Sequence, residues 1–468
     1  MSTSAAPDPV LEQAHGLATA YLASLATRPV GATATLDELR AGAALPLTDY
    51  GIKAEVVIAE MHRLAETGTV ASAGPRYFGF VIGGSYPVAV AADWLVSAWD
   101  QNCGIHATSP FSAVIEQAAA DYVLDVLKLP ASASVGFTTG CQMANYTALA
   151  AARHKLLADV GWDVEAEGLH GAPTINVIMG AEAHVTIHTA LRYLGLGLKH
   201  ARKVASDAHG RMIPAQLAAE LASCSGPTIV CAQAGNVNSG ACDPLEEIAA
   251  LTKAHAAWLH VDGAFGLWAR ASPALETFAR GAELADSWAT DAHKWLNVPY
   301  DCGIVIVRHV DAHRETMAVR AAYLEHAAHA ERDQFEYVPE FSRRGRSIPV
   351  YATLRHLGRD GVAALVERCC AHALRFAQLL GAQPGVEVLN DVVLNQVLLR
   401  FGDDDETTRE VIRRVQREGT CWLGGTTWQG RAAMRISVCN WSTEEQDVER
   451  SAAAIASAYR SIAGQCAS

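Results

Sequence analysis

The chain has 468 residues, of which half are hydrophobic and 19% charged, with a formal net charge of −13, a balance typical of a soluble globular protein long enough for two or three domains. The negative charge repels phosphate backbones and anionic lipid surfaces, which argues against nucleic-acid or membrane partners but leaves room for a local anion site. Eleven cysteines without CxxC pairs read as reduced thiols of a cytoplasmic protein, and the start MSTSAAPDP lacks the features of a secretion signal. The most apolar stretch, 77–99, is broken by Gly83, Gly84, Pro87 and Asp93, so no transmembrane span is expected.

Apolar spacing predicts amphipathic helices over 8–27 and 51–67, followed by the Gly- and aromatic-rich segment GPRYFGFVIGGSYP (74–87); residues 1–95 read as an N-terminal arm. From about 96 the pattern alternates: a helix at 110–128, a Gly/Thr turn, a helix at 142–157, then strands at 174–180, 227–235, 257–262, 287–291 and 303–308. Such alternation predicts an α/β fold with a mostly parallel sheet covered on both faces, over 96–345. Residues 346–468 read as a smaller α+β domain, with a helix near 349–380, an apolar run at 386–401, a charged helix at 406–418 and MRISVCNW at 434–441. The acidic run DDDET (403–407) reads as a solvated turn, and no internal repeat is evident.

Three motifs fall at the carboxyl ends of predicted strands, where open α/β sheets place ligands. In HVDGAFG (260–266), Asp262 taken alone is a turn or helix-cap aspartate. In DAHKW (291–295), Lys294 taken alone is a surface lysine with a buried stem. Their separation of 32 positions holds one helix and one strand, so both side chains can meet in one crevice. Pyridoxal 5′-phosphate (PLP) requires such a pair: a lysine amine for its aldehyde and a carboxylate for its pyridine nitrogen. AEAHVTIHTAL (181–191) adds His184, a structural histidine when taken alone but able to stack on the pyridine ring. VGFTTGCQMANYTALAAAR (135–153) offers a Gly/Thr turn into a helix whose free N–H groups suit a phosphate.

With YFGFVIGGSYP and AADWL (77–95), TTGCQMANYTALAAAR (138–153), DSWATDAHKWLNVPYDCG (286–303), AAYLEH (321–326) and MRISV (434–438), the chain resembles the group II PLP-dependent decarboxylases, which include aromatic-L-amino-acid and glutamate decarboxylases. The resemblance covers nearly the whole chain. It implies the PLP-dependent transferase-like fold type I, in a homodimer with the active site at the interface, an N-terminal segment wrapping the partner, a large PLP domain and a small C-terminal domain. It implies that Lys294 forms the Schiff base, Asp262 meets the pyridine nitrogen, and His184 stacks on the ring and orients the substrate carboxylate as a catalytic residue. Ala264 lies against the ring; Thr139, Gly140, Cys141, Gln142, Ser287 and His293 lie near the phosphate; and Asn236 falls in a cofactor-binding segment.

By the same resemblance Tyr323 returns a proton after CO2 leaves, and Arg435 meets the substrate carboxylate unless it serves an ion pair within the small domain. Phe80, Val81 and Ile82 would form an apolar wall favouring an aromatic or bulky apolar L-amino acid. Two departures bear on the substrate: Gln142 stands beside Cys141 where relatives commonly carry serine, and Asn236 stands where aromatic decarboxylases carry threonine. The expected reaction converts an L-amino acid, held as an external aldimine, to the amine and CO2. Alternatives are an aldolase-type C–C lyase, a transaminase, an aldehyde synthase, against which Tyr323 speaks, and a catalytically inactive interaction protein, against which Lys294, Asp262 and His184 together speak. No metal site is expected.

Overall fold

The computed structural model describes residues 8–319 and 332–466. Seven strands form the central sheet: β1 (Ser134–Thr138), β2 (Asn176–Gly180), β3 (Arg202–Val204), β4 (Thr228–Gln233), β5 (Trp258–Asp262), β6 (Ser287–Asp291) and β7 (Gly303–Val307), in the order β1-β7-β6-β5-β4-β2-β3. Strands β2 to β6 pair in parallel, whereas β7 runs antiparallel to both β1 and β6. The link from β6 to β7 is too short for a helical crossover, so the chain turns back on itself.

Alternate residues of β2, β4, β5, β6 and β7 feed two apolar cores. Ile178, Val230, Leu259, Val261, Ile304 and Ile306 face the helix Pro110–Val126 and the long helix Ser347–Gly381. Val177, Met179, Ile229, Ala289 and Val305 face the helices Cys141–Ala158 and Val185–Tyr193. This double burial explains why most strands read as continuous apolar runs. Strand β1, SVGFT, is buried throughout yet escapes that signal, because Ser134, Gly136 and Thr138 interrupt its apolar pattern. Gly136 is required there, since a Cβ would lie 2.4 Å from the Tyr337 carbonyl oxygen. Between the layers, Arg343 forms an ion pair with Glu116 at 2.8 Å, with both side chains fully buried.

A second, antiparallel sheet contains β8 (Val386–Val388), β9 (Gln396–Phe401), β10 (Gly424–Trp428) and β11 (Arg431–Ser437) in the order β10-β11-β9-β8. The acidic run DDDET, expected as a turn, instead starts the helix Asp405–Glu418: the Asp404 carboxylate accepts the Thr407 N–H at 2.8 Å, the usual N-cap arrangement. Near the N-terminus, the helices Pro9–Ser24, Leu36–Ala43 and Ala54–Gly68 contain no buried residue. Among the described residues no helix is long and apolar enough to cross a membrane.

Candidate active site

The sheet delivers its chemistry at the carboxyl edge. Asp262 ends β5 and Asp291 ends β6, and because these neighbours pair in parallel, Asp262 opposite Ala289, both carboxylates emerge on the same side. Lys294, three residues on, places Nζ 2.9 Å from Asp291 Oδ2. Asp291 Oδ1 accepts the Cys141 N–H at 2.6 Å, at the first residue of the helix Cys141–Ala158. The Cys141 thiol in turn faces Asp262 Oδ1 at 3.6 Å, so an ammonium, two carboxylates and a helix N-terminus form one connected group. Burial alone would depress the Lys294 ammonium, but Asp291, with Cys141 and Asp262 nearby, raises its proton affinity above the usual lysine range. Burial pushes the Cys141 thiol well up, reinforced by the two aspartates.

Asp262 is held from both oxygens: Oδ1 accepts the Ala264 N–H at 3.2 Å, and Oδ2 accepts from Asn145 Nδ2 at 3.2 Å. His184 caps the helix Val185–Tyr193, its Nδ1 facing the Thr186 hydroxyl at 2.9 Å. Burial lowers its proton affinity; Asp262 opposes this, while Lys294 and Arg435 add to it. The imidazole is therefore neutral near pH 7.

The segment after Tyr77 packs directly on this loop. A Cβ on Gly83 would lie 2.0 Å from the Lys294 carbonyl oxygen, so only glycine allows that approach. Gly84 N–H donates to Asn297 Oδ1 at 2.8 Å, and Trp441 N–H donates to the same oxygen at 3.0 Å. Asn297 Nδ2 donates to the Cys439 carbonyl at 2.9 Å. Just before this, Ile82 N–H bonds the Gly79 carbonyl at 3.1 Å, closing a turn whose central residues Phe80 and Val81 have φ of 55° and 61°. Left-handed backbone at a β-branched valine costs about 1–3 kcal/mol, and burial of that side chain in the core offsets it.

His293 sits beside the cluster, its Nδ1 accepting the Cys302 N–H at 3.1 Å and its ring stacked on Tyr300 at 4.2 Å. Thr139, Gly140 and Gln142 are partly exposed around the start of the Cys141 helix. Phe80 is 60% exposed and stacks on Trp422 at 5.6 Å. Arg435 donates to the Val237 carbonyl at 3.2 Å and faces Asn238 Oδ1 at 3.5 Å. It thus bonds the loop after β4 instead of forming the alternative ion pair within the small domain.

Two expectations need correction, those for Ser287 and Val81. Ser287 begins β6, at the opposite end from Asp291, and its hydroxyl is engaged by Trp258 and His260, so it does not face a phosphate at the carboxyl edge. Asn236 Oδ1 accepts the Asn238 and Ser239 N–H groups at 2.9 and 3.2 Å, while its buried Nδ2 has no hydrogen-bond partner among the described residues. Val81 is 1% exposed and lines no open surface. Ile82 packs with Tyr77 and Trp422 in a small apolar cluster. Tyr323 lies outside the described residues.

Four residues of the site, Asp291, Asn145, His260 and Asn297, were not expected from the sequence. Asp291 and His260 lie inside the motifs DAHKW and HVDGA, where a polar residue at a strand position was the available signal. Among the described residues no group of His, Cys, Asp and Glu is placed to hold a metal ion.

An amine, a carboxylate and a helix N-terminus at one sheet edge of an α/β fold are the groups that an aldehyde cofactor with a basic ring and a phosphate requires. The model of the pyridoxal-dependent decarboxylase conserved domain matches residues 39–401. An L-2,4-diaminobutyrate decarboxylase of Rhizobium meliloti is 30% identical over 89% of this chain and 84% of its own length. A 4-hydroxyphenylacetaldehyde synthase of Rhodiola rosea is 25% identical over 92% of this chain and 90% of its own. A crystal structure of Oryza sativa TDC superposes with a TM-score of 0.90 at 24% identity, covering 99% of each chain. The chain belongs to the pyridoxal-dependent decarboxylase family: it is an amino-acid carboxy-lyase that uses PLP.

The donor set fits that cofactor. In it Lys294 would supply the amine, Asp262 the carboxylate for the ring nitrogen, and the first turn of the Cys141 helix the amides for the phosphate. The Cys141 N–H is already engaged by Asp291, which leaves the next amides of that turn, without intrahelical acceptors, to serve an anion.

Proposed function

We propose that the protein decarboxylates an aromatic or bulky apolar L-amino acid to its amine, with Lys294 as the covalent anchor of the cofactor, Asp262 as the partner of its ring nitrogen, His184 over its face and Tyr323 as the proton donor. The observation that carries this reading is the linked group Lys294, Asp291, Cys141 and Asp262. When bound, PLP supplies an electron sink for the pair left at Cα as CO2 departs.

The chain's own residues provide the rest. Asp262, fixed by Ala264 and Asn145, keeps a negative charge facing a protonated ring nitrogen. A neutral His184 stacks without adding positive charge. Arg435, tied to the Val237 carbonyl, stands near enough to His184 to affect its protonation, which suits it to meet a substrate carboxylate. The half-exposed Phe80, stacked on Trp422, offers an apolar face to the side chain. Tyr323 delivers a proton to Cα.

A second reading, 2,4-diaminobutyrate as substrate, is favoured by the similarity to the Rhizobium enzyme. Incubating the PLP-loaded protein with tryptophan, tyrosine, phenylalanine and 2,4-diaminobutyrate, and measuring CO2 and amine, separates the two. Turnover of the aromatic acids is expected, and exclusive use of diaminobutyrate would replace the first reading with the second.

The resemblance further implies a homodimer, and exposed apolar side chains along the N-terminal arm, Leu47, Tyr50, Ile52 and Met61, support a second copy of this chain as their cover. Sedimentation equilibrium on the full chain is expected to give twice the chain mass. Ten free cysteines among the described residues support the reducing cytoplasm as its compartment.

A further inference from the structure

Behind Asp262 lies a row of buried polar groups that the reaction does not touch. Asn145 Nδ2 donates to Asp262 Oδ2 at 3.2 Å, and Asn145 Oδ1 lies 2.9 Å from His260 Nε2. His260 Nδ1 lies 2.9 Å from the Ser287 hydroxyl, which accepts the Trp258 indole N–H at 2.8 Å. Asn145, His260 and Ser287 are each fully buried, and Trp258 nearly so. Three of the links span 29 to 117 positions in sequence, so the row is a tertiary construction. Unpaired polar groups in such surroundings cost about 1–3 kcal/mol each, yet every member here has a partner on both sides.

The direction of every hydrogen follows from the two ends. Asp262 is an acceptor only, so Asn145 must turn its amide nitrogen toward it and its oxygen toward His260. His260 must therefore carry its proton on Nε2. At the far end Trp258 is a donor only, so the Ser287 oxygen accepts, leaving the serine proton for His260 Nδ1. Burial keeps His260 neutral, holding it down to about 4 against the pull of Asp262, so only one ring nitrogen bears hydrogen. The two ends specify the same polarity.

We propose that Asn145, His260 and Ser287 are positioning residues: a hydrogen-bond chain of fixed polarity that orients Asp262 toward the cofactor's ring nitrogen and delivers a donor to its rear oxygen. The proposal rests on reading Asp262 as the partner of that nitrogen. It extends the reading to residues that touch neither cofactor nor substrate, and it gives Ser287, expected near the phosphate, a different task.

Two readouts test it. In the apoprotein, long-range proton–nitrogen correlation spectra of ¹⁵N-histidine protein should show His260 protonated at Nε2 alone at neutral pH; a proton on Nδ1 would overturn the assigned polarity. In the PLP-loaded protein, ¹⁵N-labelled cofactor reports ring-nitrogen protonation by its chemical shift. Asn145→Ala should move that resonance toward the neutral value and lower kcat by about 10- to 100-fold, the range typical when a supporting hydrogen bond behind an active group is lost, with KM changed by less than about twofold.

Ser287→Ala, two hydrogen bonds further back, keeps Asn145 in place and should give the same signature at about a few-fold, because chains of hydrogen bonds reinforce one another. It decides the matter if Asn145→Ala does not fold. Asp262→Ala serves as the reference. If it moves the nitrogen resonance while Asn145→Ala and Ser287→Ala leave resonance and kcat unchanged, the chain has no positioning role. If Asp262→Ala itself leaves the resonance in place, the reading of Asp262 fails instead.

Discussion

Asp291 holds the Lys294 ammonium at 2.9 Å, and this ion pair raises the proton affinity of the very amine that must lose its proton to join an aldehyde. Cofactor capture by the apoprotein is therefore opposed by a residue of the site. Asp291→Asn should lower the lysine's proton affinity and speed PLP capture at pH 7, by about tenfold for every tenfold loss of that affinity. Stopped-flow absorbance after mixing apoprotein with PLP measures this; a variant no faster than the parent would mean that deprotonation of Lys294 does not limit capture.

Lys294→Ala should bind PLP without its covalent absorbance and lose multiple turnover, while its thermal melt stays close to the parent's. Asp262→Ala should keep the covalent absorbance yet lose roughly two powers of ten or more in kcat, about 2.7 kcal/mol. Steady-state kinetics distinguishes this from an effect on KM alone, which would place Asp262 in binding and not in charge stabilisation.

Tyr323→Phe should retain CO2 release but stop making amine. An α-carbon left without its proton can react with oxygen: amino acid, O2 and water then yield aldehyde, CO2, ammonia and hydrogen peroxide. Measuring amine, aldehyde and peroxide in air and under argon tests this, and amine production at the parental rate would remove Tyr323 from the role of donor.

Two buried histidines make the protein acid-sensitive. Burial holds His260 down to about 4 and His313 down to about 3, below the ordinary value near 6.5. As pH falls below 6.5 the unfolded chain takes up protons that the native state refuses, so the contribution of these histidines to stability is full above 6.5 and declines toward pH 4. Asp243 works in the opposite sense: burial raises it to about 6, so its stabilising contribution is lost as pH rises from about 4 through 6. His313→Gln should reduce the acid decline by up to about 1.4 kcal/mol per pH unit, measured by urea unfolding of the apoprotein from pH 7 to pH 4. An unchanged slope would show that His313 is already protonated in the native state.

Arg343 donates to both Glu116 oxygens at 3.0 and 2.8 Å and to the Phe137 carbonyl of β1 at 2.8 Å. Arg343→Met leaves a buried carboxylate alone and should cost about 3–5 kcal/mol, whereas adding Glu116→Leu should recover most of the loss. Urea denaturation of the parent, both single variants and the double variant measures the coupling.

Fold and site were most legible in the sequence where a property is local. Asp262 and Lys294 stood out because each follows an apolar strand, and their spacing placed one crossover between them. Strand β1 stayed hidden because the interior position of Gly136 answers to the Tyr337 carbonyl, two hundred residues away in sequence. Ser287 was placed near the phosphate by the resemblance, but four residues along a strand span about 13 Å, which carries it to the other end of β6 from Asp291. Asn145 and His260 looked like ordinary polar residues, since partnership across the layers leaves no periodic trace. The antiparallel course of β7 depends on the length of the preceding link more than on its composition.

Asn297 joins Gly84 and Trp441, partners 213 and 144 positions away. Contacts that close such long loops form slowly, because the entropy of closure is lost before the contact is gained. During refolding, helices and neighbouring strands of the sheet can therefore assemble while the backbone around Lys294 still lacks its support from both ends of the chain. Covalent uptake of the cofactor is therefore expected late in refolding, after Gly84 and Trp441 have reached Asn297.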